Sequence, residues 1–225
     1  MKKVGFVGAY DKTDLIINIA KILVELNKKV LVIDATINQK SKYIVPSINP
    51  TKTYITEFEG IDIAVGFSEY EHILQYLGNE ELDYEYILID TDSEDSIKKF
   101  ELQLSFKNYF VTSFDNYSLK KGLEILSGLK EVMSMTKILY SEEVLREEDD
   151  YLNFLALGKK ILWSEFRIYF PIENGDLTAI YENHRLARIS LKKISLQYKE
   201  GLEYIVGELA SNVSSGNIKR IIKEL

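Results

Sequence analysis

The sequence predicts an α/β protein, a three-layer sandwich in which helices cover both faces of a mainly parallel sheet. Two observations carry this. The apolar runs of strand length, Val4 to Val7, VLVID ending at Asp34 and YEYILID ending at Asp90, are continuous rather than alternating. Strands that a sheet buries on both faces read this way. Between and after them lie longer segments with apolar residues at helical spacing, the alternation expected of a parallel sheet with crossover helices. A chain of 225 residues, 46% hydrophobic and 28% charged, has the composition to pack one extensive core.

The first strand leads through a short loop into a helix over Asp14 to Leu26. Its stripe of Leu15, Ile16, Ile19, Ile22, Leu23 and Leu26 is widened by Ile17, Ala20 and Val24. After the second strand, Tyr54–Phe58 and Ile61–Phe67 flank Glu59-Gly60 as a hairpin would. Ser68 is placed to cap a helix that Gly78 ends. Beyond the strand at Tyr84–Asp90, helices are expected over Asp95–Leu104 and Ser118–Leu129, with strands at Tyr109–Thr112 and Lys137–Tyr140. An acidic helix from Glu142 to about Leu157, a strand at Arg167–Phe170 ending in Pro171, and helices over Leu177–Arg188 and Ile194–Leu209 complete the body. Residues 1–210 form one domain, and after a polar break residues 211–225 supply a short amphipathic helix.

Composition excludes several classes. Cysteine is absent, which removes disulfides and thiolate metal sites and fits a reducing compartment. No stretch offers the roughly 20 apolar residues of a membrane span, and the first residues lack a cleavable leader pattern, so the expected location is the cytoplasm. A formal net charge of −7 argues against general nucleic-acid binding, which needs clustered Lys and Arg. His72 and His184 stand far apart without ligand spacing, and no nucleophile elbow accompanies them.

The loop after the first strand carries the chemistry. Strand, loop, Lys12-Thr13, helix, strand and Asp34 form the frame of a phosphate-binding site. In the pattern G-x-x-x-x-G-K-[ST] glycines let backbone N–H groups approach phosphate oxygens. Phe6 and Asp11 stand where those glycines belong, and Asp11 brings a carboxylate where phosphate charge would sit. Asp11 also suits the N-cap of the following helix, with Asp14 favourable to the helix dipole. The chain is thus expected to carry its own anion in the phosphate site.

Several ordered landmarks resemble the MinD/ParA family of deviant Walker P-loop ATPases, including the branch encoded with Tad-type pilus systems. VGAYDKT stands where the family has its KGGxGKT loop, VLVIDAT resembles the strand of its second acidic motif, and DYEYILIDTD its Walker B strand. FKNYFVTSFDNYSLKKGLEIL and IYFPIENGDLTAIYENHRLARI resemble later strand–helix units. The resemblance spans roughly residues 1–209 and implies a P-loop NTPase fold of bacterial type. It also implies that Lys12 would reach phosphates, Thr13 would ligate Mg²⁺ and Asp90 would be the Walker B carboxylate. The family's signature lysine falls on Val7, its loop glycines on Gly8, Ala9 and Asp11, and its water-positioning carboxylate on Thr36. Hydrolysis needs placed charge around the γ-phosphate, so these departures point to lost catalysis. Gly8, Asp11, Lys12, Thr13, Asp34 and Asp90 are then a vestigial nucleotide site. Neither a catalytic residue nor a bound cofactor is expected; ATP or ADP with Mg²⁺ is the alternative.

Other clusters carry bland readings beside sharper ones. Asp92, Glu94 and Asp95 are expected to cap a helix rather than hold a metal, and Glu142 to Asp150 to form a solvated face that could dock a basic partner. Fifteen scattered tyrosines read as core and interface aromatics rather than kinase tail sites. Arg185, Arg188 and Lys192 are a surface strip, with DNA the less favoured reading. In the tail Ile218, Ile221, Ile222 and Leu225 share a stripe that would either pack on the domain or, as in MinD-like relatives, bind the inner membrane surface. The function expected is that of a pseudo-ATPase scaffold or localisation factor acting through a protein partner, with homodimerisation open. The alternative is a weak ATPase that positions cargo, DNA or a pilus or secretion assembly.

Overall fold

A computed structural model describes residues 1–46, 52–143 and 146–225. Among them eight strands form a single sheet in the order β3-β4-β2-β5-β1-β6-β7-β8. These are β1 (Lys2–Val7), β2 (Val30–Asp34), β3 (Tyr54–Phe58), β4 (Ile61–Val65), β5 (Tyr86–Thr91), β6 (Lys107–Ser113), β7 (Met133–Ser141) and β8 (Ile161–Pro171). All neighbours are parallel except β3 and β4, the expected hairpin. The helices are α1 (Thr13–Glu25), α2 (Ser41–Ile44), α3 (Tyr70–Leu77), α4 (Glu94–Lys99), α5 (Asn116–Ile125), α6 (Arg146–Leu155), α7 (Asn174–Leu186), α8 (Leu196–Leu209) and α9 (Ser215–Glu224). The three-layer α/β sandwich is therefore the observed architecture.

Side-chain alternation along each strand divides the core in two. On one face Val4, Phe6, Val30 and Val32 meet Leu15, Ile16, Ile19, Ile22 and Leu23 of α1 together with α7, α8 and α9. On the other, Val7, Leu31, Ile33, Ile87 and Ile89 meet Ile73, Ile97, Leu119, Leu123 and Leu152 from α3 to α6. Burying one such Leu or Ile contributes about 1.5–3 kcal/mol, so α1, with these five at 0–1% exposure, anchors the first layer.

Local chemistry shifts several boundaries. Ser68 does not cap α3: the N-cap is Glu69, and the Ser68 hydroxyl lies 3.0 Å from His72 Nδ1 instead. Gly78, at φ +67°, ends α3 as expected. Ser93 caps α4 by accepting the Ser96 N–H, and the helix stops at Lys99, because Glu101 turns left-handed at φ +50° before a 3₁₀ turn over Leu102–Leu104. β7 and β8 are longer than expected. Their registry shifts between Met135 and Lys137, and this irregular half of β8 carries polar, exposed residues that hide its strand pattern. The four-residue α2 has too little periodicity to be read from sequence.

The acidic run is not uniformly solvated. Of the helix expected from Glu142, residues 144 and 145 lie outside the described residues. Within α6, Asp149 is 1% exposed and takes Lys137 Nζ at 2.7 Å and Arg167 Nη1 at 2.5 Å. A buried lysine on β7 requires that carboxylate. The tail is integrated as well. Ile218, Ile221 and Ile222 are 1–5% exposed in the first core cluster against α1 and α8, and the Leu191 N–H donates to the Leu225 carbonyl at 3.1 Å. The stripe available to a membrane surface is thus covered by the domain itself.

Ile218→Ala should lower the free energy of unfolding by about 2–4 kcal/mol in urea titrations. A loss below about 0.5 kcal/mol, the range of surface substitutions, would mean that α9 is not docked.

Candidate functional site

The order of the strands puts the site at the carboxyl ends of β1, β2 and β5, where the chain leaves β1 and enters α1. Open α/β sheets bind ligands at such an edge. Gly8 opens the loop at φ +150°, and a Cβ there would come within 2.1 Å of the Val111 carbonyl oxygen, so only glycine fits. Its N–H donates to the Thr91 carbonyl at 3.1 Å, tying the loop to β5.

Lys12 turns inward. Its Nζ lies 2.8 Å from Asp90 Oδ1 and donates to the Gly8 carbonyl at 2.9 Å, and Lys12 and Asp90 are 3% and 2% exposed. Thr13 Oγ1 donates to Asp90 Oδ2 at 3.3 Å. The carboxylate that meets the loop lysine is therefore Asp90, on β5. Asp34 sits beside Asp90 in register. It accepts the Thr36 N–H at 3.1 Å, the Thr36 hydroxyl at 2.6 Å and the Ser41 N–H at 2.9 Å. It thereby serves the turn into α2. Burial pushes the Asp90 carboxyl up, Lys12 opposes this and Asp34 adds to it; the net value is about 6.

Asp11 does something other than expected. The N-cap of α1 is Lys12, without a side-chain cap, and Asp11 Oδ1 accepts only the Thr13 N–H at 3.2 Å. Its other oxygen pairs with Lys40, whose Nζ also lies 3.1 Å from Asp14 Oδ2. His184 Nε2 approaches Asp14 Oδ1 at 2.5 Å. Burial raises the Asp14 carboxyl, but His184 and Lys40 outweigh it and hold the group below its usual range. Lys40 and His184 carried no signal of this in the sequence: they come from elements 26 and 170 positions away from Asp14. Beside this cluster a cavity of about 110 Å³ is lined by Tyr10, Asp14, Lys40, Tyr140, Pro171 and Tyr181, among others.

The remaining candidates lie elsewhere. Asp92 accepts the Ile37 N–H at 2.9 Å, and among the described residues no group of three or more His, Cys, Asp or Glu is placed to hold a metal ion. Arg188 and Lys193 both pair with Glu182, at 3.3 and 2.6 Å, which splits the basic strip; Lys192 faces a groove beside α8. No helix is long and apolar enough to cross a membrane among the described residues.

As arranged, these residues do not fit a nucleoside triphosphate with Mg²⁺. Phosphate would have to draw Lys12 from Asp90 and Gly8, and the Asp11 carboxylate, half exposed at the loop, would repel it.

The fold has known counterparts. A plasmid partition protein from Borrelia burgdorferi B31 bound to AMPPNP superposes with a TM-score of 0.58 at 17% identity, covering 100% of this chain and 99% of that one. MinD in the MinC:MinD cell division complex of Aquifex aeolicus gives 0.57 at 15%, covering 95% and 97%. The ATP complex of a McdA variant from Cyanothece gives 0.57 at 13%, also covering 95% and 97%. No protein-family model matches the sequence, and no curated protein matches it either. The likeness is of fold, that of the ParA/MinD-type P-loop NTPases.

Lys12→Met alone should cost about 3–5 kcal/mol of stability by leaving Asp90 buried without its cation. Lys12→Met with Asp90→Leu should recover most of that, read in urea unfolding; a double variant as unstable as the sum of the singles would refute the coupling. The pH dependence has a fixed sign. Folded Asp90 keeps its proton up to about pH 6, against 3.8 for the ordinary group, so its contribution is present at low pH and lost as pH rises through 6. Asp90→Asn should flatten this part of the stability profile between those values, measured by thermal unfolding across pH.

Proposed function

We propose that this chain uses the ParA/MinD fold without its catalysis, as a scaffold or localisation protein that works through protein contacts in the bacterial cytoplasm. One observation carries the reading: the buried ion pair in which Lys12, the phosphate-contacting lysine of the resembling loop, is held 2.8 Å from Asp90. Three departures support it. Val7 stands for the signature lysine, Asp11 for the last loop glycine, and Thr36, for the water-positioning carboxylate, is bound to Asp34. Charge placement at the γ-phosphate is nearly all that phosphoryl transfer asks of a protein, and these positions no longer supply it.

Among the structural counterparts, the complex of MinD with MinC supports a protein partner for this chain as well. A second reading, a weak nucleotide binder, is favoured by the retention of Lys12, Thr13 and Asp90 within contact of one another. It needs the loop to open and Lys12 to exchange Asp90 for phosphate.

Calorimetric titration with ATP and ADP, with and without Mg²⁺, beside a phosphate-release assay, separates them. The scaffold reading expects no binding heat at millimolar nucleotide and no turnover above a Lys12→Met/Asp90→Leu control. Magnesium-dependent binding by the wild type that is lost in the folded Lys12→Met/Asp90→Leu variant would favour the second reading, and turnover above that variant would sink the first.

A further inference from the structure

Two charged surfaces with apolar centres lie on opposite faces of the sheet. On the face of the second core cluster, α6 buries Asp149 and Leu152 and leaves Glu147 and Asp150 exposed. Tyr151 and Phe154 are 45% and 65% exposed on the same helix, and Leu157, just past its end, 73%. Glu142 and Glu143, also exposed, extend the negative charge. The one cation of the helix, Arg146, is ion-paired to Asp150 at 3.8 Å.

On the other face, α8 and α9 flank an open groove of about 540 Å³ lined by Lys192, Lys199, Lys219 and Lys223, with Leu196 and Ile222 between them. Leu196 is 73% exposed. Glu200 and Glu203 also line the groove, so its walls carry four positive and two negative charges. Glu203 is engaged by Lys219 at 3.6 Å and by the Ser215 hydroxyl at 2.7 Å. Among the described residues Lys192, Lys199 and Lys223 have no acidic partner.

We propose that these two surfaces bind each other between copies of the chain, the acidic aromatic face of α6 seating in the lysine groove of a second copy. The charge complementarity names the occupant: the groove wants carboxylates around an apolar anchor, and α6 presents Glu147 and Asp150 around Tyr151 and Phe154. Aromatic anchors in a pocket supply affinity, and the surrounding charges supply orientation and salt sensitivity. Because the two surfaces lie on opposite faces, a molecule cannot satisfy its own groove. The contact is heterologous, and its repetition gives head-to-tail assembly rather than a closed pair. This goes beyond the nucleotide-site reading and does not require it.

Sedimentation of the full chain across a concentration series, at low and high salt, tests the proposal. The average mass should rise with concentration at low salt, and the association should weaken about tenfold or more as salt screens the charges. Glu147→Lys with Phe154→Asp removes one surface, and Lys199→Glu with Lys223→Glu removes the other. Each variant alone should stay monomeric while keeping the wild-type circular dichroism, since Glu147, Phe154 and Lys223 are exposed and Lys199 is half-buried at the groove wall. Mixed together, each still offers one intact surface, and the mixture should form a discrete one-to-one dimer and nothing larger. A wild-type chain that stays monomeric at low salt overturns the proposal. So does an oligomer that both variants leave intact, or a mixture that forms no dimer. Phosphate release from the same samples reports on the nucleotide site separately.

Discussion

The contact on which the site depends is the buried pair of Lys12 and Asp90. A lysine at 3% exposure and a carboxylate at 2% would each be costly alone. Together, with Lys12 also donating to the Gly8 carbonyl and Thr13 to Asp90 Oδ2, they bind the loop to the carboxyl end of β5. The pair fixes the loop in place: the buried Lys12 ammonium is matched by the Asp90 carboxylate rather than by solvent. The pair only partly offsets burial: desolvation, with the neighbouring Asp34 adding to it, pushes the Asp90 carboxyl up to about 6 against the pull of Lys12.

Around that pair the loop's other charges are shared out rather than gathered on one ligand. Asp11 and Asp14 divide Lys40, Asp14 also takes His184, and Asp34 is committed to the turn at Thr36. The same sharing holds on the far layer, where Asp149 serves both Lys137 and Arg167. These buried charges are held against partners of opposite sign or against hydrogen-bond donors, as the desolvation cost requires. Charge without such a partner lies at the surface, in the groove of α8 and α9 and on α6.

Much of the architecture was legible because burial on both faces leaves continuous apolar runs. β1, β2 and β5 were found that way, and α1 through a stripe too wide for a surface helix. Boundaries failed where a single local interaction decided them: Ser68 turns its hydroxyl to His72, and Glu101 takes a left-handed turn that ends α4's continuation. In the site, the strand–loop–helix frame marked Lys12, Thr13 and Asp34, and the resemblance to the MinD/ParA family marked Gly8 and Asp90. The sequence pointed to Asp11 as the N-cap, a position that Lys12 holds; Asp11 accepts only the Thr13 N–H and gives its other oxygen to Lys40, a partner that no local spacing shows.

By itself, then, the sequence determined the layers, the central strands, the place of the loop and its departures from a phosphate-binding pattern. These follow from periodicity and from residue types at fixed short spacing, which are local properties. Only the tertiary structure decided which charges meet. Lys12 on the first loop finds Asp90 on β5, and His184 reaches Asp14 across 170 positions, because strand order and helix docking bring them together. The fate of the tail was decided in the same way. An amphipathic stripe states that Ile218, Ile221 and Ile222 must be covered, and the packing of α1 and α8 is what covers them.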